Sequence, residues 1–111
     1  MHELGLAEQI LDLVLDAADG RKVCRVRLKI GDLHHVEREH LQYSFDVLTQ
    51  DTCAAGSQIE IETVAVVLRC RNCAQNSGDA SLPFHCPYCS SLDVEIASGD
   101  QIELAGVELE D

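Results

Sequence analysis

The chain has 111 residues, 46% of them hydrophobic, with 8 Lys and Arg against 20 Asp and Glu for a formal charge of -12. That apolar content excludes an acidic disordered tail, and the shortage of cations excludes a nucleic-acid partner, whose phosphates are held mainly by Lys and Arg. The length predicts one modest core with room for a small metal-held appendage. No run approaches the ~20 apolar residues of a membrane helix. The opening Met1-His2-Glu3 lacks the basic and apolar segments of a secretory signal, so the expected location is cytoplasmic, where thiols stay reduced.

Leu4 to Ala18 is predicted to be a helix. Leu4, Leu11, Val14 and Ala18 trace one apolar stripe, Leu6, Ile10, Leu13 and Ala17 widen it, and Glu8, Asp12 and Asp16 mark a solvated face. Gly20 supplies the stop. Val23 to Ile30 alternates as a half-buried strand, with Cys24, Val26, Leu28 and Ile30 facing inward and Arg25, Arg27 and Lys29 outward. Helical spacing returns from Val36 to Leu48, where Glu37 and Glu39 suit the positive end of the helix dipole. After Gly56-Ser57, residues Ile59, Ile61, Thr63 and Ala65 alternate with Glu60 and Glu62 as a second strand.

From Val66 to Gly99 the helical period is lost and both prolines of the chain occur. Gln101 to Glu110 is again strand-like, with a phase slip at Ala105-Gly106 of the kind a bulge produces. The expected fold class is α+β, two helices packed on a three-stranded sheet whose third strand is the C-terminal one, with an inserted zinc-ribbon-like domain. Residues 1–65 plus 100–111 would form the α+β domain and residues 66–99 the metal-binding one.

That segment carries Cys70-Arg-Asn-Cys73 and Cys86-Pro-Tyr-Cys89, twelve residues apart. Two such pairs close a tetrahedral four-sulfur site, for which zinc is the default metal. Structural zinc contributes ~10–16 kcal/mol of apparent binding free energy, enough to order ~30 residues that have no core of their own. A redox C-x-x-C stands singly on a strand-to-helix turn, and a closed four-sulfur site leaves no open position for catalysis. Of the other cysteines, Cys24 is expected in the core, and Cys53 has no assigned role.

Met1-His2-Glu3 offers a terminal amine, an amide nitrogen and an imidazole in fused chelate rings. Such a set suits a square-planar ion, Ni(II) or Cu(II), and Glu3 could add a fourth donor. The adjoining pattern is longer: M-H-E-L-G-L-A, then V-R-L-K-I-G-D-L and V-E-R-E-H-L-Q-Y-S-F, then I-E-I-E-T-V, then the two cysteine pairs. Nearly end to end, it resembles the HypA/HybF hydrogenase nickel-incorporation proteins.

The resemblance implies a nickel metallochaperone rather than an enzyme. It implies nickel as transferable cargo at Met1, His2 and Glu3, and structural zinc at Cys70, Cys73, Cys86 and Cys89. The implied partners are a nickel-accessory GTPase and the large subunit of a [NiFe]-hydrogenase. Departures from the family's usual pattern fall at His34-His35, at Arg38 where proline is common, and at Ser90-Ser91 where glycine is usual. The two histidines either add a metal contact or cover the turn, and His85 stands beside Cys86. The competing reading is a zinc-ribbon adaptor with no nickel role, which would retain zinc alone. No nucleophile–base pair, phosphate-binding glycine loop or open metal site supports an enzyme.

Overall fold

The structure is a computed structural model that describes residues 3–78 and 84–110. Helix α1, Glu3–Ala18, buries Leu6, Ala7, Ile10, Val14 and Ala18. It ends on two left-handed residues, Asp19 (φ 49°) and Gly20 (φ 84°), the second being the glycine the sequence marks as the stop. Four of the buried residues, Leu6, Ile10, Val14 and Ala18, belong to the expected apolar set, but the stripe is narrower than expected: Leu4, Leu13 and Ala17 are exposed, and Leu11 is only partly covered. Leu6, Ile10, Val14 and Ala18 run along that stripe at helical spacing with Ala7 beside them, while Leu4, Leu11 and Leu13 lie off it.

Strand β1, Val23–Gly31, is the centre of the first sheet. A short 3-10 turn, Asp32–His34, leads to α2, Arg38–Thr49, which carries the chain over to β2, Gln58–Val64. β2 therefore lies parallel to β1, with Val26 beside Ile59 and Ile30 beside Thr63; parallel neighbours need such a crossover. The C-terminal strand β6, Ile102–Leu109, pairs antiparallel on the other side of β1. The order β2-β1-β6 is the expected three-stranded sheet.

Both helices cover one face of that sheet, α1 against α2 and β6, and α2 against β2. Between them lies the core, centred on Phe45, Leu41, Leu6, Ile10, Leu28, Ile30 and Ile59, all 2% exposed or less. The opposite face is charged. Arg25 and Arg27 each bridge Glu60 on β2 and Glu108 on β6, and Lys29 pairs with Glu62. Exposed pairs of this kind add little stability each; their alternation is what assigns each β1 residue to a face.

Two register shifts interrupt the β1–β6 ladder. One skips Ala105, at the predicted phase slip. The other skips Cys24, between Val23 and Arg25. Here the structure corrects the sequence expectation: Cys24 is exposed, not in the core, because the bulge inverts its parity relative to Val26 and lets Val23 bury instead.

A second three-stranded sheet is built within the segment after β2. Its strands are β3 (Val67–Cys70), β4 (Asn76–Ser77) and β5 (Val94–Ser98), in the order β4-β3-β5. The two sheets meet where the chain passes Ala65-Val66 outward and Gly99-Asp100 back. Gly31 donates its amide to Gln101 O, and Leu33 donates to Gly99 O. The His34 ring donates through Nε2 to the carbonyl of Asp100 at 2.6 Å. The molecule measures 54 × 23 × 16 Å. Among the described residues, no helix is long and apolar enough to cross a membrane.

Candidate metal centre

The segment that carries the second sheet buries little apolar material: among its described residues, Val66, Leu68, Cys70 and Cys86 are buried, with Ser77 and Gly99. What organises it is a pair of matching turns. Cys70 N–H donates to Gln75 O at 3.0 Å and Ala74 N–H donates to Cys70 O at 2.9 Å. In the second turn Cys86 N–H donates to Ser91 O and Ser90 N–H donates to Cys86 O, both at 2.9 Å. Each turn ends on a left-handed residue, Ala74 at φ 63° and Ser90 at φ 62°. Glycine adopts that conformation freely, and a side chain there costs about 1 kcal/mol. The departure from the family pattern at Ser90 thus falls on a position whose backbone favours glycine.

These turns bring Cys70, Cys73, Cys86 and Cys89 together, all four sulfurs within 4.8 Å of one another. Cys70 Sγ lies 3.6 Å from Cys89 Sγ, and Cys73 Sγ lies 3.6 Å from Cys86 Sγ. A disulfide needs about 2.05 Å. A zinc ion with ligands at about 2.3 Å sets tetrahedral sulfur–sulfur edges of about 3.8 Å. The spacing therefore fits a four-thiolate metal and not a disulfide, and all six cysteines are free.

Donors surround the sulfurs as thiolates require. Cys73 N–H points at Cys70 Sγ and Tyr88 N–H at Cys86 Sγ, each at 3.4 Å, and Asn72 Nδ2 donates to Cys89 Sγ at 3.6 Å. Such outer contacts spread the charge of a tetrathiolate site. The backbone amide at Ser91, then Asn72, pulls the Cys89 thiol down to about 6. At Cys73 the backbone contact with Gln75 also favours the thiolate, but burial and the neighbouring sulfurs of Cys86, Cys70 and Cys89 outweigh it and push the thiol up to about 12. Four thiols this close do not all ionise unaided, and a divalent cation held by Cys70, Cys73, Cys86 and Cys89 would supply the missing charge.

Arg71 braces the first turn against β5, donating to Asp93 Oδ1 at 2.9 Å and Glu95 Oε2 at 3.4 Å. Sequence reasoning missed Arg71 and Asn72. Both lie between the spaced cysteines, yet their partners are about twenty residues away and no local pattern identifies them. His34 and His35 join no metal-holding group among the described residues. His34 latches onto Asp100, and His35, left-handed at φ 48°, ends the 3-10 turn. Of the candidate nickel donors, Met1 and His2 lie outside the described residues, and Glu3 opens α1, half-buried.

The family profile described as hydrogenase/urease nickel incorporation, metallochaperone, hypA matches residues 1–109. The hydrogenase maturation factor HypA of Syntrophus aciditrophicus is 37% identical over 113 residues, spanning 99% of this chain and 98% of that protein. Its counterpart from Geotalea uraniireducens is 31% identical over 110 residues, spanning 99% of this chain and all of that one. In fold, the chain is similar to the solution structure of the Ni metallochaperone HypA from Helicobacter pylori, with a TM-score of 0.70 at 22% identity over 98% of this chain and 97% of that one.

Proposed function

Because the chain belongs to the HypA family of hydrogenase/urease nickel-incorporation metallochaperones, we propose that it carries Ni(II) at Met1, His2 and Glu3 and hands it to the large subunit of a [NiFe]-hydrogenase. In this reading a nickel-accessory GTPase takes part in the transfer, the handover takes place in the cytoplasm, and the protein acts as a carrier rather than an enzyme. The observation that carries the reading is the closed sulfur cluster. Among the described residues, the four cysteines are the one group able to hold a metal ion. A complete thiolate tetrahedron suits a resident ion better than one that must leave. A transferable ion then needs another site, and the nitrogen donors of Met1 and His2 supply one of the opposite character.

The assignment divides the chain by role. Residues 1–65 with 100–111 form the nickel-carrying unit, and residues 66–99 the zinc unit, Cys70, Cys73, Cys86 and Cys89 being the zinc ligands. Zinc, when bound, supplies the positive charge that holds the two cysteine turns together. At the terminus the Met1 amine, the His2 amide nitrogen and the His2 imidazole would each give up a proton to hold nickel, with Glu3 as a further donor. Such a chelate can open one donor at a time while a thiolate or imidazole of the recipient takes each vacated position, a route that a buried cage lacks.

The test compares untagged wild type, His2→Ala and a variant extended ahead of Met1, each incubated with nickel and measured for both metals. Wild type should hold nickel and zinc, and both variants should hold zinc alone with an unchanged far-ultraviolet spectrum. Sulfur-to-nickel charge-transfer bands in the wild type, or normal nickel binding by the extended variant, would remove the terminal site.

A further inference from the structure

An edge strand displays unpaired amides and carbonyls, and β2 treats the two halves of its edge differently. Its first half is covered by side chains of α2. Ile59 N–H donates to Gln42 Oε1 at 2.7 Å, Ile59 O accepts from Arg38 Nε at 2.8 Å, and Ser57 O accepts from Gln42 Nε2 at 3.0 Å. Since Ile59 turns its backbone groups away from β1, the period of two turns those of Ile61 and Thr63 the same way. No hydrogen bond occupies that side of either residue among the described residues. Beside them lies a groove of about 350 Å³ lined by Ile61, Thr63, Ile30, Asp32, His35 and Val36. It adjoins a cleft of about 630 Å³ that shares Asp32 and His35.

We propose that the open half of this edge, Ile61 to Thr63, is a strand-addition site for an extended, basic segment of a partner protein. Strand addition takes its affinity from main-chain hydrogen bonds and its specificity from alternate side chains. On one face of an added strand, side chains would enter the groove against Ile61 and Val36. On the other they would lie beside Glu62, which is well exposed and holds Lys29 only at 3.8 Å. The exposed carboxylate of Asp32 has no ion pair among the described residues. The chain carries -12 overall. These features select cations alternating with apolar residues. The other open edge, β6, is a poorer template because the bulge at Ala105 breaks its run. The site does not rest on the nickel reading, and it can fail or stand without it.

The zinc-loaded full chain, labelled with 15N, is titrated with the peptide acetyl-Lys-Val-Lys-Ile-Lys-amide and with its Glu-for-Lys counterpart. The basic peptide should shift the amides of Ile61 and Thr63 saturably, and the acidic one should not. Thr63→Pro removes an outward-facing N–H without touching the β1 ladder. It should leave the β1 amides and the zinc content unchanged while weakening the peptide about tenfold. Asp32→Asn should weaken it several-fold. Three results would overturn the proposal. One is the absence of shifts at Ile61 and Thr63; another is equal binding by Thr63→Pro. The third is a concentration-dependent dimer abolished by Thr63→Pro, which would give the edge to a second copy of the chain.

Discussion

Gly31 and Gly99 cross with no space between them: a Cβ on Gly31 would fall on the carbonyl group of Gly99. Gly99 in turn has φ 97°, and a Cβ there would collide with the backbone of Val66. Three strands of chain, the end of β1 and the two connections between the sheets, thus pass through one crossing, pinned by Leu33 N–H on Gly99 O.

Gly31→Ala should force that crossing apart, since backbone rather than a flexible side chain stands in the way. The expected loss is about 1–3 kcal/mol, as for overpacking in a core. Gly99→Ala should cost more, because the added methyl meets both a steric wall and a disfavoured φ. Urea unfolding of the zinc-loaded proteins measures both. Equal stability of Gly31→Ala and wild type would mean that the crossing opens without strain.

Gln42 has a comparable role at the side of the sheet, where its amide acts like a missing strand for Ser57 and Ile59. Gln42→Ala should leave the part-buried Ile59 N–H without its acceptor and cost about 1–3 kcal/mol. It should also lengthen the exposed edge, so self-association should rise. Hydrogen exchange at Ile59 and sedimentation velocity read the two effects separately. Unchanged exchange at Ile59 would show that Gln42 contributes nothing there.

Elements governed by local period were legible in the sequence, and elements governed by distant contacts were not. The alternation in Val26, Leu28 and Ile30, the glycine stop at Gly20 and the slip at Ala105 all reappear in the structure. The two cysteine pairs assemble as their spacing implies. In α1 the buried Leu6, Ile10, Val14 and Ala18 are legible, but a helix with leucines on several sides does not define the edges of its apolar stripe, and packing buries Ala7 rather than Leu4. Cys24 was misplaced because a bulge on β1 is decided by its partner strand. β5 was hidden because Val94–Ser98 is short and pairs with β3 across the cysteine segment.

Zinc affinity should rise with pH, because protons and zinc compete for the same sulfurs. Cys73, with its thiol pushed up to about 12, is protonated in the metal-free protein at neutral pH and must release that proton on binding. Cys89, pulled down to about 6, is already mostly thiolate at neutral pH and adds its own proton competition only below that value. Affinity should therefore fall with pH throughout the neutral range, where Cys73 still holds its proton, and fall more steeply below about pH 6. Competition with a chromophoric chelator across this range measures the slope. A pH-independent affinity would show that the sulfurs are not the ligands. Asn72→Ala, which removes a donor to Cys89 Sγ, should move the steeper region to higher pH.

Cys24 should be the fast-reacting thiol of the zinc-loaded protein. The bulge turns it into solvent, whereas Cys53 packs partly against the core and the other four cysteines converge on the metal site. Limiting iodoacetamide followed by peptide mass spectrometry should find Cys24 modified first and Cys53 more slowly, with the four clustered sulfurs protected. Chelating the zinc should then expose Cys89 before Cys70 and Cys86, since Cys89 is exposed and holds the lowered thiol. The thiolate rather than the thiol attacks the reagent, so exposure and ionisation act together at that sulfur. Protection of Cys24 in the loaded protein would mean that β1 and β6 pair without the first bulge, and the sulfur would then belong in the core.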